Sequence, residues 1–151
     1  MMVIGKKYIN AENQVIGRLA SKVAKLALMG YEIYIFNAEK SVITGDWYFL
    51  VKYWNHKVNE RGDWLKGPFY PTRPDKILRR VIRGMLPKNY RGRIALKRVK
   101  VFLGVPEEYK NVTLETFKDA DITERIKKSK RRIKYYYLID ISKQIGYNPS
   151  E

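Results

Sequence analysis

The sequence predicts an α/β fold with parallel strands, and three observations predict it. A strand pattern, a long amphipathic helix pattern and a second strand pattern follow one another within about thirty residues, the spacing of a βαβ unit. A second amphipathic helix further on carries cations along one face. The chain has 151 residues, 45% of them hydrophobic and twelve of them tyrosine, enough for one core and one domain.

The first expected strand opens at Tyr8 and Ile9, and the polar residues at 10–13 supply a turn and a cap. Over 14–29, Val15, Ile16, Leu19, Ala20, Val23, Ala24, Leu26 and Ala27 share one helical face. Arg18, Ser21, Lys22 and Lys25 share the other, and Gly30 follows as a left-handed cap. The β-branched and aromatic run at 32–36 reads as a strand parallel to the first. Beyond a turn at 37–40 the chain touches Val42 and Ile43. It then starts a helix at 44–46, with Trp47, Leu50, Val51 and Trp54 as its apolar stripe.

A connector rich in Gly, Pro and charge is expected over 56–74, anchored by Trp64, Phe69 and Tyr70. The basic helix follows, with Pro74 in its first turn and a break at Leu86-Pro87. At 100° per residue, Ile77, Leu78, Val81, Ile82 and Met85 fall within about 140° of arc, the core-facing side. Lys76, Arg79, Arg80 and Arg83 fall in a separate arc of about 100°. A shorter helix is expected over 90–97 and a third strand over 99–104. Positions 113–126 read as a weak helix or irregular chain, and 133–139 as a strand. A short final helix capped by Asp140 should run to Ile145 and stop at Gly146.

Charge points to the partner. The chain carries a net +16. Between Arg61 and Lys100, thirteen Lys and Arg face two acids, and a folded surface of that kind is built for a polyanion. A second run, Arg125 to Lys134, holds seven cations and no acid. The absence of Cys excludes disulfides, thiol nucleophiles and Cys-ligated zinc. No apolar run approaches the ~20 residues that span a bilayer, and the first residues lack a leader's apolar core, so secretion is not expected.

Enzymatic readings find little to stand on. The turn before the first helix has one glycine, Gly17, already inside the helix, where a dinucleotide site needs closely spaced glycines. His56 is the only histidine and reads as a helix-end residue. Tyr135, Tyr136 and Tyr137 read as alternating positions of a half-buried strand rather than as a base-stacking platform. A helix-turn-helix reading is weakened by a connector at 84–90 longer than three or four residues, and by the lack of Asn or Gln for base edges. The alternatives left open are a DNA-binding regulator using the basic helix and an RNA-processing α/β enzyme.

Specific strings then narrow the reading. Gly17-Arg18-Leu19-Ala20-Ser21 with Val23-Ala24, Asn37-Ala38-Glu39-Lys40 with Ile43-Thr44-Gly45, and Arg83-Gly84-Met85-Leu86-Pro87 stand in that order along the chain. They continue into Arg91-Gly92-Arg93 and Leu96-Lys97-Arg98-Val99-Lys100-Val101. In order and spacing this resembles the universal large-subunit ribosomal protein thirteen family, over Tyr8 to Pro106 and loosely after Tyr109. Gly67-Pro68-Phe69-Tyr70-Pro71-Thr72-Arg73-Pro74-Asp75 resembles its archaeal and eukaryotic branch.

The resemblance implies a three-layer α/β/α domain around a mainly parallel sheet of about four strands, with a basic helical segment and a C-terminal extension. Residues 1–110 would form the rRNA-binding core, and 111–151 an extension packed on it. It implies a non-enzymatic constituent of the large ribosomal subunit, working in the cytoplasm within the ribosome. Such a protein organises large-subunit rRNA through phosphate contacts, supports assembly and touches neighbouring ribosomal proteins. It needs no cofactor, metal, membrane or small-molecule substrate, and no homo-oligomer is expected. Carried to matching positions, Arg18, Lys40, Arg83, Lys88, Arg91, Arg93, Lys97 and Arg98 become rRNA contacts. Charge alone adds Lys66, Arg73, Lys76, Arg79, Arg80, Lys130, Arg131 and Arg132.

Overall fold

A computed structural model describes residues 3–149. Met1 and Met2, part of the stretch read above for a leader, lie outside the described residues, as do positions 150 and 151 of the extension. Strand β1 (Lys6–Asn10), helix α1 (Ile16–Met29) and strand β2 (Glu32–Phe36) form the expected βαβ unit. β1 and β2 pair in parallel, Ile9 opposite Ile35. Helix α1 begins two residues later than expected and ends where Gly30 adopts φ 112°, so that its N–H reaches the carbonyls of Ala27 and Leu26. Buried Leu19, Ala20, Val23 and Ala27 make up the face that the spacing picked out.

Next come β3 (Val42–Thr44) and α2 (Trp47–Asn55), the latter continued by one π-helical turn at His56–Glu60. The helical path therefore runs one turn into what was expected to be connector. His56 lies in that turn, its Nδ1 3.0 Å from the Glu60 carboxylate. Helix α3 (Pro74–Met85) and α4 (Tyr90–Lys97) follow at the expected places, and β4 (Val99–Val101) begins where expected but ends three residues sooner than the 99–104 run. α3 runs to Met85 and α4 starts at Tyr90, so the connection is only the four residues 86–89. The longer connector invoked against a helix-turn-helix is thus a misreading, because Gly84 stays helical. The tail forms α5 (Ile122–Lys128), β5 (Tyr135–Tyr137) and α6 (Leu138–Gln144).

Among the described residues the parallel sheet has three strands in the order β1-β2-β4, not four. β3 instead pairs antiparallel with β5, Ile43 opposite Tyr136, in a separate two-stranded ribbon. On the outer edge of β1 a single residue, Glu115, occupies the place of a further strand. Its N–H donates to the Tyr8 carbonyl at 2.8 Å, and its own carbonyl accepts from Asn10 at 2.9 Å.

Alternation along the strands gives the sheet two unlike faces. Ile9, Ile33, Ile35 and Val99 are buried in one core cluster with the inward faces of α1 and α3. The other face is aromatic. Tyr8 and Tyr34 stack at 5.3 Å and Phe36 and Phe102 at 5.5 Å, with Tyr109, from a 3₁₀ turn at Glu107–Tyr109, within 6.0 Å of all four rings. Each such pair contributes about 0.5–1.5 kcal/mol beyond its area.

Long-range backbone bonds tie the tail to this frame. Val15 donates to Ala120 at 2.8 Å, Ile122 to Asn13 at 2.9 Å and Leu138 to Ser41 at 2.8 Å. The buried Gln14 side chain accepts from the Phe117 N–H at 3.3 Å.

Candidate nucleic-acid interface

Helix α3 separates apolar from cationic residues much as its spacing demands. Ile77, Leu78 and Ile82 are at most 1% exposed, while Lys76, Arg79 and Arg83 are exposed. Met85 departs from the expected arc. It is 42% exposed, because the helix ends there and the extended Leu86 turns into the core in its place. Asp75 sits in the first turn, where a carboxylate suits the free N–H groups. It pairs with Arg73 at 3.3 Å, and its buried Oδ1 has no hydrogen-bond partner.

Helix α4 is seated on the turn that leads into it by a close backbone contact. The Asn89 side chain caps α4 by accepting from the Gly92 N–H at 3.0 Å. A Cβ on Gly92 would lie 1.8 Å from the Pro87 carbonyl oxygen, so only glycine fits. Between the two helices runs a concavity of about 470 Å³, lined by Arg80, Arg83, Lys88 and Arg93 with Tyr70 and Leu96. A neighbouring hollow adds Lys76 and Arg79.

Of the sixteen cations singled out above, fourteen are exposed and two, Arg80 and Arg98, are half-buried. Several face back onto the protein. Arg98 donates to the Ala27 carbonyl at 3.0 Å and Arg91 to that of Leu28 at 3.5 Å, both at the C-terminus of α1, where the helix dipole favours positive charge. The Arg80 guanidinium lies 4.0 Å over the Tyr70 ring and donates to the Phe69 carbonyl at 3.3 Å. Arg79 reaches the Leu96 carbonyl at 3.4 Å. By contrast, Lys76, Arg83, Lys88, Arg93 and Lys97 have no ion-pair partner among the described residues.

The remaining sites are scattered. Lys66 lies on the exposed connector, within the turn that Asp63 and Gly67 close. Lys40 stands 4.0 Å from Glu12. Arg18, in the first turn of α1, donates to the Asp119 carbonyl at 3.2 Å. Lys130, Arg131 and Arg132 are exposed on the loop between α5 and β5. The structure also brings Lys118, Arg125 and Lys128 to the same hollow as Arg18 and Arg131. The sequence pointed to Arg125 and Lys128 only as members of the basic run 125–134, and to Lys118 not at all; Arg125 and Lys128 stand three apart on one helix.

Away from these helices, charge is paired locally. Lys100 and the Tyr34 hydroxyl both bond the Glu32 carboxylate, at 3.0 and 2.9 Å, and hold its pKa below the ordinary value. Burial, and then the hydrogen bond to Glu32, raise that of Tyr34. Lys134 does for Asp46 what Lys100 does for Glu32, at 3.0 Å. Among the described residues no group of His, Asp or Glu could hold a metal ion, and no helix is long and apolar enough to cross a membrane.

Exposed cations on two neighbouring helices, without acid partners among the described residues, make a surface suited to a polyanion. Comparison with known proteins makes this specific. The family described as ribosomal protein L13 matches residues 6–108, and the chain belongs to that family, one of structural ribosomal proteins rather than enzymes. It is 47% identical over 140 residues to the large ribosomal subunit protein uL13 of Methanosarcina barkeri, covering 91% of this chain and 96% of that one. The uL13 of Archaeoglobus fulgidus is 43% identical over 140 residues, covering 92% and 86%. That of Methanococcus maripaludis is 54% identical over 103 residues, covering 66% and 75%. The family match stops at residue 108, whereas alignments over 91–92% of the chain run on past Tyr109, so archaeal relatives continue into the tail beyond the part that the family shares.

Proposed function

We propose that the chain binds and organises large-subunit rRNA within the ribosome, chiefly through phosphate contacts along α3 and α4, and touches neighbouring ribosomal proteins. The observation that carries this is the row of exposed cations without acid partners: Lys76, Arg83, Lys88, Arg93 and Lys97. Arginine forks and mobile lysines neutralise the backbones of RNA segments that otherwise repel each other, which lowers the cost of compaction. Arg73, Arg79, Arg80, Arg91 and Arg98 contribute on the same flank while also bonding the protein. Lys66, Lys40, Arg18 and Lys130 to Arg132 extend the contact elsewhere.

The division into a core of residues 1–110 and an extension over 111–151 belongs to this proposal, supported by the backbone bonds that fasten Glu115, Ala120 and Leu138 to the core. So does the three-layer arrangement, with α1 and α3 on one face of the sheet and the 3₁₀ turn carrying Tyr109 on the other. A salt series against large-subunit rRNA, with duplex DNA and transfer RNA as competitors, tests the reading. Six to ten phosphate contacts should cost ~10³–10⁵ in affinity between about 50 and 200 mM salt. Preference for rRNA should survive at the higher salt, and Arg83→Glu should weaken binding without early melting. Equal binding of all three polyanions would overturn the specific role.

A further inference from the structure

The opposite end of α1 from Arg91 and Arg98 carries a second cationic concavity. Arg18, in the first turn of α1, lines it with Lys118, Arg125, Lys128 and Arg131, around a volume of about 570 Å³. Two acids stand on its wall, and each is engaged by a cation from outside the lining. Asp119 accepts from Lys22 at 3.4 Å and Glu124 from Lys127 at 3.5 Å. Lys118, Arg125, Lys128 and Arg131 are left without an ion-pair partner among the described residues. The first turn of α1 adds the same sign, since it has no acid and no side-chain cap.

The walls are anchored. Asp121 caps α5 by accepting from the Thr123 N–H at 2.9 Å, and Ile122 packs with Val15, Val42 and Ile133 in a small apolar cluster. The cations are thus presented by a folded surface and not by a free arm.

We propose that this hollow is a second RNA-backbone site, separate from the α3–α4 groove, so that the chain holds two RNA segments at once, one at each end of α1. The proposal rests on the rRNA reading above and adds a place and residues to it: Lys118, Arg125 and Lys128 beside Arg18. From Arg18 to Leu28 is ten residues of helix, about 15 Å along its axis. Charges that far apart in water are screened from one another at physiological salt. Each end therefore engages its own stretch of backbone, and holding one segment raises the effective concentration of the other.

The test uses the full chain and two unlinked rRNA hairpins, one biotinylated and one fluorescent. Wild type should carry the fluorescent hairpin onto streptavidin beads. Arg125→Glu/Lys128→Glu should still bind a single hairpin through the other groove but lose co-capture by at least about tenfold. The neutral pair Lys128→Gln/Arg131→Gln should show the same loss at smaller size. Lys25→Glu/Lys143→Glu, with the same change in net charge, should co-capture like wild type. Thermal melts of each variant confirm that the fold is intact. If the Arg125/Lys128 variant co-captures as well as the charge-matched control, the second site is wrong while the rRNA reading stands. If wild type binds neither hairpin, the rRNA reading fails and this proposal falls with it.

Discussion

The two cationic regions, α3–α4 and the stretch from Arg125 to Lys134, have the same sign of charge and very different supports. In the first, two helices bury Ile77, Leu78, Ile82 and Ala95, and a backbone contact at Gly92 seats the second on the turn that leads into it. In the second, a seven-residue helix leans on Ile122, and a loop leads into a three-residue strand. Cations on the first are divided between the protein and the solvent. Arg80, Arg91 and Arg98 turn inward to a ring or a carbonyl, while Arg83, Lys88 and Arg93 do not. In the second, Lys127 and Lys134 pair with Glu124 and Asp46, while Lys128, Lys130, Arg131 and Arg132 are exposed without an acid partner among the described residues. Density of charge therefore says little about the job of a given arginine. What its neighbours leave unpaired says more.

The largest effect should come from breaking the junction of the better-supported region. Gly92→Ala forces a Cβ against the Pro87 carbonyl, and overpacking against rigid backbone costs about 1–3 kcal/mol or more. Denaturant unfolding should show that loss, with RNA affinity falling alongside it. A wild-type midpoint would mean that the α3–α4 turn is free to shift.

A crossed pair separates inward from outward arginines. Arg98→Ala removes a charged donor from the Ala27 carbonyl and should lower stability by about 1.5–3 kcal/mol, while changing RNA affinity per folded molecule far less. Arg83→Ala should do the reverse, leaving the melt nearly unchanged and lowering the salt slope of binding by about one. If both variants behave alike, the division of labour drawn here is mistaken.

Asp121→Ala probes the weaker support. Loss of this cap should cost about 1 kcal/mol, felt mainly within α5. Amide exchange should quicken at 122–129 and stay slow at 90–98. Uniform quickening would show that the tail unfolds together with the core.

The smallest effect concerns pH, at the Glu32, Tyr34 and Lys100 group on the sheet. Lys100 and Tyr34 depress the Glu32 pKa, so this carboxylate stabilises the fold above its unfolded pKa. That contribution fades as pH falls through the lower folded value. Glu32→Gln should lower stability slightly at neutral pH, where the carboxylate is charged, leave low pH unchanged and so flatten the acid limb of the profile by that small amount. An unaltered acid limb would show that the Lys100 contact is worth nothing in water.

What the sequence determined by itself was local and periodic. The βαβ unit, the bounds of α3 and α4, the glycine after α1 and the outward side of the basic helix all follow from spacing along one element, because 3.6-residue and two-residue periods record which side meets the core. Specific strings added the family. Tertiary structure alone decided which strands meet. Val42–Thr44 lies far in sequence from Tyr135–Tyr137, and no local period says that they pair apart from the parallel sheet. It also decided that Leu86 and not Met85 enters the core, since a helix end resets the direction of the next side chain. And it decided which carbonyl each arginine meets, and that Arg18 shares a hollow with residues a hundred or more positions away, because those depend on where separate elements come to rest.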